Sequence, residues 1–214
     1  LKDPAEARLV SMSLADFMDE TASESPAPGG GSIAAYAGAL GAALAAMVAN
    51  LSSHRRGWDD RWQTFSDCAN RGQEFAQELL HLVDEDTRAF GRVMAAMALP
   101  KATDTEKIAR TTAIQESTKR ATEVPFRVME MAFASMSVIK AMAETGQASS
   151  VSDVGVGALC ARAAVMGAYL NVRINAKQLA DRAFATDIVA RGAVLDRQAQ
   201  DAEAEILAVV NARL

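Results

Sequence analysis

From Ile33 to Leu51 the chain runs 19 residues without a charge, IAAYAGALGAALAAMVANL, directly behind the stretch SPAPGGGS. A charge-free helix of that length either crosses a bilayer or is enclosed on all sides by other helices. Nine of the residues are Ala and two are Gly, which makes the run only weakly hydrophobic on a transfer scale. The small residues Ala34, Gly38, Ala42, Ala45 and Ala46 would let a second helix approach backbone to backbone. We therefore expect a buried helix in a water-soluble bundle and no membrane partner.

The rest of the chain supports that architecture. Ser13 and Asp16 mark a short amphipathic helix, SLADFMDETA, before the Pro and Gly cluster. Ser32 is expected to cap the helix from Ile33 to about Asn50. The segment from Trp58 to Leu99 has apolar residues at helical spacing with charges between them, so it reads as one very long helix or two abutting ones, ended by Pro100. Thr103 and Glu106 form a capping box for the next helix; Pro125 should kink it, and Gly146 should end it. Ser152 and Asp153 read as the cap of an Ala-rich helix, and a last helix is expected from about Thr186 to Ala212. No stretch alternates as a strand would. The fold class is all-α, an antiparallel bundle of long helices, with residues 1–12 as a tail or linker and 13–214 as the helical domain.

Composition removes several functions. Half of the 214 residues are hydrophobic and the formal net charge is -5, so a core is available and nothing draws the chain to nucleic acid. Cys68 and Cys160 lie far apart, and His54 and His81 have no ligand spacing between them, so no metal site is expected and the thiols should be reduced. The start, LKDPAEARLV, has no leader-like pattern, which suggests a cytoplasmic protein. Its beginning at Leu suggests a trimmed tail or the downstream part of a longer chain.

Four places could carry chemistry. Gly29, Gly30 and Gly31 can take φ > 0 and expose main chain to a ligand, and the helix N-terminus behind them offers free N–H groups; a simple hinge fits the same residues. The stretch lacks the Lys of a phosphate-binding loop. Asp86 interrupts the stripe that continues through Phe90 and Val93, where a carboxylate is costly unless paired or functional. Asp153 sits in the first turn of its helix, a place that capping alone also explains. Asn171 and Asn175 lie one turn apart on an apolar helix; they bind a ligand or tie two helices together.

SPAPGGGSIAAYAGALGAALAAMVANL, VDEDTRAFGRVMAAMALPK, IQESTKRATEVPF and SVSDVGVGALCARAAVMGAYLNVRIN together resemble the formiminotransferase-cyclodeaminase family in its C-terminal cyclodeaminase part, from about Ser13 to the end. The resemblance implies an all-helical homodimer or higher oligomer with a folate site near the subunit interface and no tightly bound cofactor. It implies conversion of 5-formiminotetrahydrofolate to 5,10-methenyltetrahydrofolate with release of ammonia, with methenyltetrahydrofolate cyclohydrolase as the alternative and an inactive scaffold as the remote one. LKDPAEARLVSMSLADFMDETASE is similar to the junction of fused members, so a fused or partner formiminotransferase is expected. On this resemblance Pro28, Gly29, Gly30, Gly31 and Ser32 line the folate pocket, and Asp86 and Asp153 are the catalytic pair. Asn171 and Asn175 hydrogen-bond the pterin or formimino group. Lys101 either contacts the glutamate tail of a polyglutamylated substrate or is a solvated lysine.

Overall fold

A computed structural model describes residues 9–214, and among these there is no strand. Six α-helices carry the chain: α1 Leu14–Ala22, α2 Gly30–Ser53, α3 Trp62–Met97, α4 Asp104–Thr145, α5 Val151–Ala176 and α6 Arg182–Asn211. Residues 1–8 of the expected tail lie outside the described residues. Leu9–Ser11 form a single 3-10 turn whose Leu9 is buried in the core, so this end of the segment packs with the domain.

α2 is buried over its small-residue face and open along Ile33, Leu40, Met47 and Leu51, so it is not enclosed on all sides. It packs on α3, α4 and α5, while α4 and α5 also hold α6. Ala35, Ala42, Ala45, Val48 and Ala49 are wholly inaccessible. The approach to α5 is close enough to demand glycine. A Cβ on Gly41 would stand 2.7 Å from the Gly157 carbonyl oxygen and 3.1 Å from the Ala161 nitrogen, both backbone atoms that cannot swing away. Along the α2–α3 seam Gly38 faces Leu79 and Gly72 faces Ala46. By length and composition α2 and the stretch Ala148–Ala176 could each cross a membrane; 61% and 50% of their most apolar windows are buried by other helices.

Several boundaries differ from expectation for local reasons. α3 is one unbroken helix of 36 residues. α4 runs through Pro125 without interruption; its capping box at Thr103 and Glu106 forms as expected. α2 begins earlier than a serine cap would allow: Gly29 is its N-cap and Ser32 lies inside the first turn. α5 starts at Val151 behind a 3-10 turn, Ala148–Ser150, so Ser152 is not a cap, although Asp153 does occupy the first turn. α6 begins at Arg182 because the Asp181 side chain accepts the Phe184 N–H at 3.0 Å, an N-cap the sequence reading passed over.

Candidate functional site

The N-terminus of α2, the last turns of α3, the middle of α4 and the end of α5 converge on a cavity of about 290 Å³. Its floor is main chain. Gly29, Gly30 and Gly31 line it together with Pro26 and Ala27. Pro28 is buried in the same turn behind a cis Ala27–Pro28 bond. None of the three glycines has a positive φ; among the described residues only Gly57 does. Backbone freedom is therefore not why they are glycines. At Gly31 the reason is space, because a Cβ there would fall 2.2 Å from Asp86 Oδ1. Gly29 has nothing within 4 Å of its missing Cβ, and Gly30 has only Asn171 Nδ2 at 3.7 Å, so both leave open wall.

Asp86 is seated on the first turn of α2. Ser32 Oγ donates to its Oδ2 at 2.9 Å, and the Ser32 backbone N–H also donates to the carboxyl. The carboxyl thus serves the helix end that a serine cap was expected to serve, from a different helix. Burial nonetheless pushes the Asp86 pKa above its ordinary value, outweighing the two bonds from Ser32 that pull it down. Neighbouring Asp84 is buried as well. Glu85 turns away from the cavity to pair with Arg88 at 2.9 Å and Arg120 at 3.7 Å.

Asn171 and Asn175 both reach the cavity, and each has an NH₂ group tied down. Asn171 Nδ2 donates to Gly167 O of its own helix at 3.0 Å, and Asn175 Nδ2 crosses to Ala121 O of α4 at 2.7 Å. Their oxygens remain for a ligand. Opposite them Phe90, Met94 and Met97 form an apolar shelf at helical spacing on α3; they are 40%, 48% and 41% exposed.

Three polar lining residues escaped the sequence reading: Thr87, Thr118 and Gln178. Thr118 is the most informative. It is only 2% exposed, and its Oγ1 has no hydrogen-bond partner. The buried Thr122 and Ser135 on the same helix return their hydroxyls to the carbonyls of Thr118 and Ala132. Thr118 makes no such bond, although Ser117 beside it returns its own hydroxyl to the Ala113 carbonyl at 2.7 Å. A buried hydroxyl with no partner costs about 1–3 kcal/mol.

Four expected residues do not line this cavity: Pro28 and Ser32 are buried behind its wall, and Lys101 and Asp153 lie away from it. Lys101 is exposed in the α3–α4 connection, beyond Met97, and does not line it. Asp153 lies in the first turn of α5, whereas Asn171 and Asn175 lie near its other end; at 1.5 Å per residue Asp153 is about 27 Å or more along the axis from both. One chain therefore does not bring Asp86 and Asp153 together as a pair. Among the described residues no group of three His, Cys, Asp or Glu side chains is arranged to hold a metal ion. The cavity's chemistry rests on one buried carboxyl group, two oriented amides, an unpartnered hydroxyl and a flat apolar shelf.

The profile of the formiminotransferase-cyclodeaminase family matches residues 13–193. A methenyltetrahydrofolate cyclohydrolase of Methylorubrum extorquens is 40% identical over 171 residues, covering 80% of this chain and 82% of that protein. The formimidoyltransferase-cyclodeaminase of Rattus norvegicus is 36% identical over 208 residues; the match takes in 97% of this chain but spans only 38% of the rat protein's length. The solved formiminotetrahydrofolate cyclodeaminase of Thermotoga maritima superposes with a TM-score of 0.84 at 26% identity, over 94% of this chain and 97% of that one.

Proposed function

We propose, from the premise that the chain belongs to the formiminotransferase-cyclodeaminase family of folate one-carbon enzymes, that the cavity beside Asp86 closes 5-formiminotetrahydrofolate to 5,10-methenyltetrahydrofolate and releases ammonia. The observation that carries this reading is the Asp86 carboxyl, buried at the end of α2 among groups suited to a flat, donor-rich heterocycle.

The chemistry requires proton traffic more than anything else. N10 of the folate attacks the formimino carbon, forming a C–N bond while the C=N electron pair moves to the exocyclic nitrogen. The resulting tetrahedral carbon bears three nitrogens. N10 must lose its proton, and the exocyclic nitrogen must be fully protonated before the C–N bond to it breaks and ammonia departs. One carboxyl group can serve both steps, taking the N10 proton and passing it to the leaving nitrogen. A pKa above the usual carboxylate range suits that exchange better than an ordinary aspartate would. The product carries a delocalised positive charge, which ionised Asp86 stabilises as it develops. The pterin lies on the shelf of Phe90, Met94 and Met97. Its N–H donors reach the Asn171 and Asn175 oxygens, and Thr118 gains the partner it lacks.

The cyclohydrolase reading uses the same residues. There Asp86 takes a proton from water as its oxygen adds to the methenyl carbon and returns that proton to N5; the N5–C bond then breaks as the hydroxyl loses its proton to solvent and becomes the C=O of 10-formyltetrahydrofolate. The 40% identity to a protein of that name over most of its length favours it specifically. Stopped-flow absorbance separates the two. Rapid methenyl formation from 5-formiminotetrahydrofolate with ammonia release supports cyclodeaminase; methenyl loss without deamination supports cyclohydrolase; neither activity in a folded, homogeneous protein refutes both.

We further propose that the chain acts as a homodimer through the outer faces of α2 and α5. Val156, Leu159, Met166, Leu170 and Ile174 form an exposed stripe on α5, each 49–58% accessible, beside Leu40, Met47 and Leu51 of α2. Isolated apolar residues are ordinary on a surface, but a continuous stripe of this kind marks an interface. A second copy suits it better than lipid, because α5 also carries Arg162 paired with Asp196 at 2.6 Å and Glu203 at 3.7 Å.

A further inference from the structure

We infer that Pro125, which lines no part of the cavity, is a positioning residue that fixes the amide of Asn175. An α-helical N–H normally donates to the carbonyl four residues earlier. Proline has no N–H, so Pro125 leaves the Ala121 carbonyl without its helical partner. That oxygen is the one Asn175 Nδ2 reaches from α5, at 2.7 Å. Only the NH₂ end of an amide can face a carbonyl oxygen, since two acceptors would repel. The contact therefore sets both the place and the flip of the Asn175 side chain. Its Oδ1 is presented as an acceptor.

The arrangement also accounts for a helix-breaking residue in the middle of an unbroken helix of 42 residues. Pro125 is buried, α4 continues past it, and Ala121 and Asn175 both line the cavity. An interior proline is ordinarily among the most unfavourable helix residues. Here the orphaned carbonyl is satisfied across the helix interface, and the group satisfying it belongs to the cavity. Asn171 shows the contrast: its NH₂ is held by a carbonyl of its own helix and needs no proline.

Pro125→Ala returns an N–H to the Ala121 carbonyl and sets it in competition with Asn175. The inference rests on the functional reading above for its kinetic arm, so the test has a second arm that does not. In the first, kcat/KM for 5-formiminotetrahydrofolate and for methenyltetrahydrofolate is measured for the wild type, Pro125→Ala, Asn175→Ala and the double variant. Loss of one hydrogen bond predicts about a fivefold fall in Pro125→Ala, with Tm unchanged or higher. In the Asn175→Ala background the proline substitution should have no further effect. An unaltered kcat/KM, or a loss that adds in full to that of Asn175→Ala, overturns the inference. In the second arm, the side-chain NH₂ resonances of Asn175, assigned by their absence from Asn175→Ala, are followed by 15N NMR in the ligand-free protein. Pro125→Ala should shift them; unchanged resonances overturn the inference even for a chain active in neither assay. A wild type silent in both assays with shifted resonances would fail the functional reading alone.

Discussion

Replacing Gly31 by Ala should separate catalysis from stability. The new Cβ would lie 2.2 Å from Oδ1, 2.6 Å from Cγ and 2.7 Å from Oδ2 of Asp86, where carbon contacts are comfortable at about 3.5–4.0 Å. The whole carboxyl group must retreat by about 1 Å or more. That retreat breaks the 2.9 Å bond from Ser32 Oγ, a charged hydrogen bond worth about 1.5–3 kcal/mol. Two terms oppose the loss. Ala in place of helical Gly gains roughly 0.5–1 kcal/mol, and a carboxyl displaced toward the cavity recovers part of its hydration. Net destabilisation should stay within about 2 kcal/mol, which is a few degrees in Tm for a domain of this size. Activity is more sensitive, because a 1 Å misplacement of a reacting group costs on the order of a hundredfold. The assay is single-turnover methenyl formation or hydrolysis beside a thermal melt, with Gly91→Ala as the control. A Cβ on Gly91 meets nothing within 4 Å, so that variant should gain up to about 1 kcal/mol at full activity. If Gly31→Ala folds and keeps kcat/KM within about threefold, far from the hundredfold cost of misplacement, the seat of Asp86 is irrelevant to the reaction and the reasoning fails.

Asp86→Asn should lower kcat by about 10²–10⁴ while Tm is kept or rises. Because burial raises the Asp86 pKa in the folded protein, its contribution to stability is complete at acid pH and is lost as pH rises through the folded value. The Tm advantage of Asp86→Asn should therefore grow from acid to neutral pH, and an acid limb in wild-type kcat/KM, centred above the usual aspartate range, should be missing from the variant. Thr118→Val removes a buried hydroxyl that has no partner, so the ligand-free protein should be stabilised by about 1–3 kcal/mol while folate affinity, read by calorimetry, falls. Met166→Glu combined with Leu170→Glu places charge on the exposed α5 stripe; light scattering should then report half the wild-type mass with helical circular dichroism intact. An unchanged mass would remove the dimer proposal.

What the sequence disclosed and what it withheld follow from the range of the interactions involved. The 19-residue run of small residues already implies a closely packed helix, because Ala and Gly act through what they allow to come near, and the small-residue face of α2 is indeed buried while Leu40, Met47 and Leu51 leave its other face open. Asp86 was recognisable for a related reason: a carboxylate on an inward stripe demands an explanation wherever it lies. Its partner was not. Ser32 has the composition of an N-cap, but a cap is decided by where the chain enters the helix, and the entry lies at Gly29, which frees Ser32 to hold a side chain 54 residues away. Asp153 is the converse case within one chain. A first-turn acid and two amides on one helix look like members of one site when read as a motif, yet a continuous helix holds its two ends apart as rigidly as it joins neighbours one turn away. Thr118 was unreadable for a subtler reason. Thr122 and Ser135 on the same helix reach a carbonyl with their hydroxyls while Thr118 does not, a difference of local side-chain placement that no pattern of residue types encodes. The residues hardest to find in the sequence are thus those defined by an unmet or displaced hydrogen bond. Gly31 belongs with them, since its role is set by an aspartate on another helix and not by its own backbone angles. For that reason the Gly31 substitution tests the site more severely than removal of Asp86 itself: it leaves every polar group in place and alters only where one of them stands.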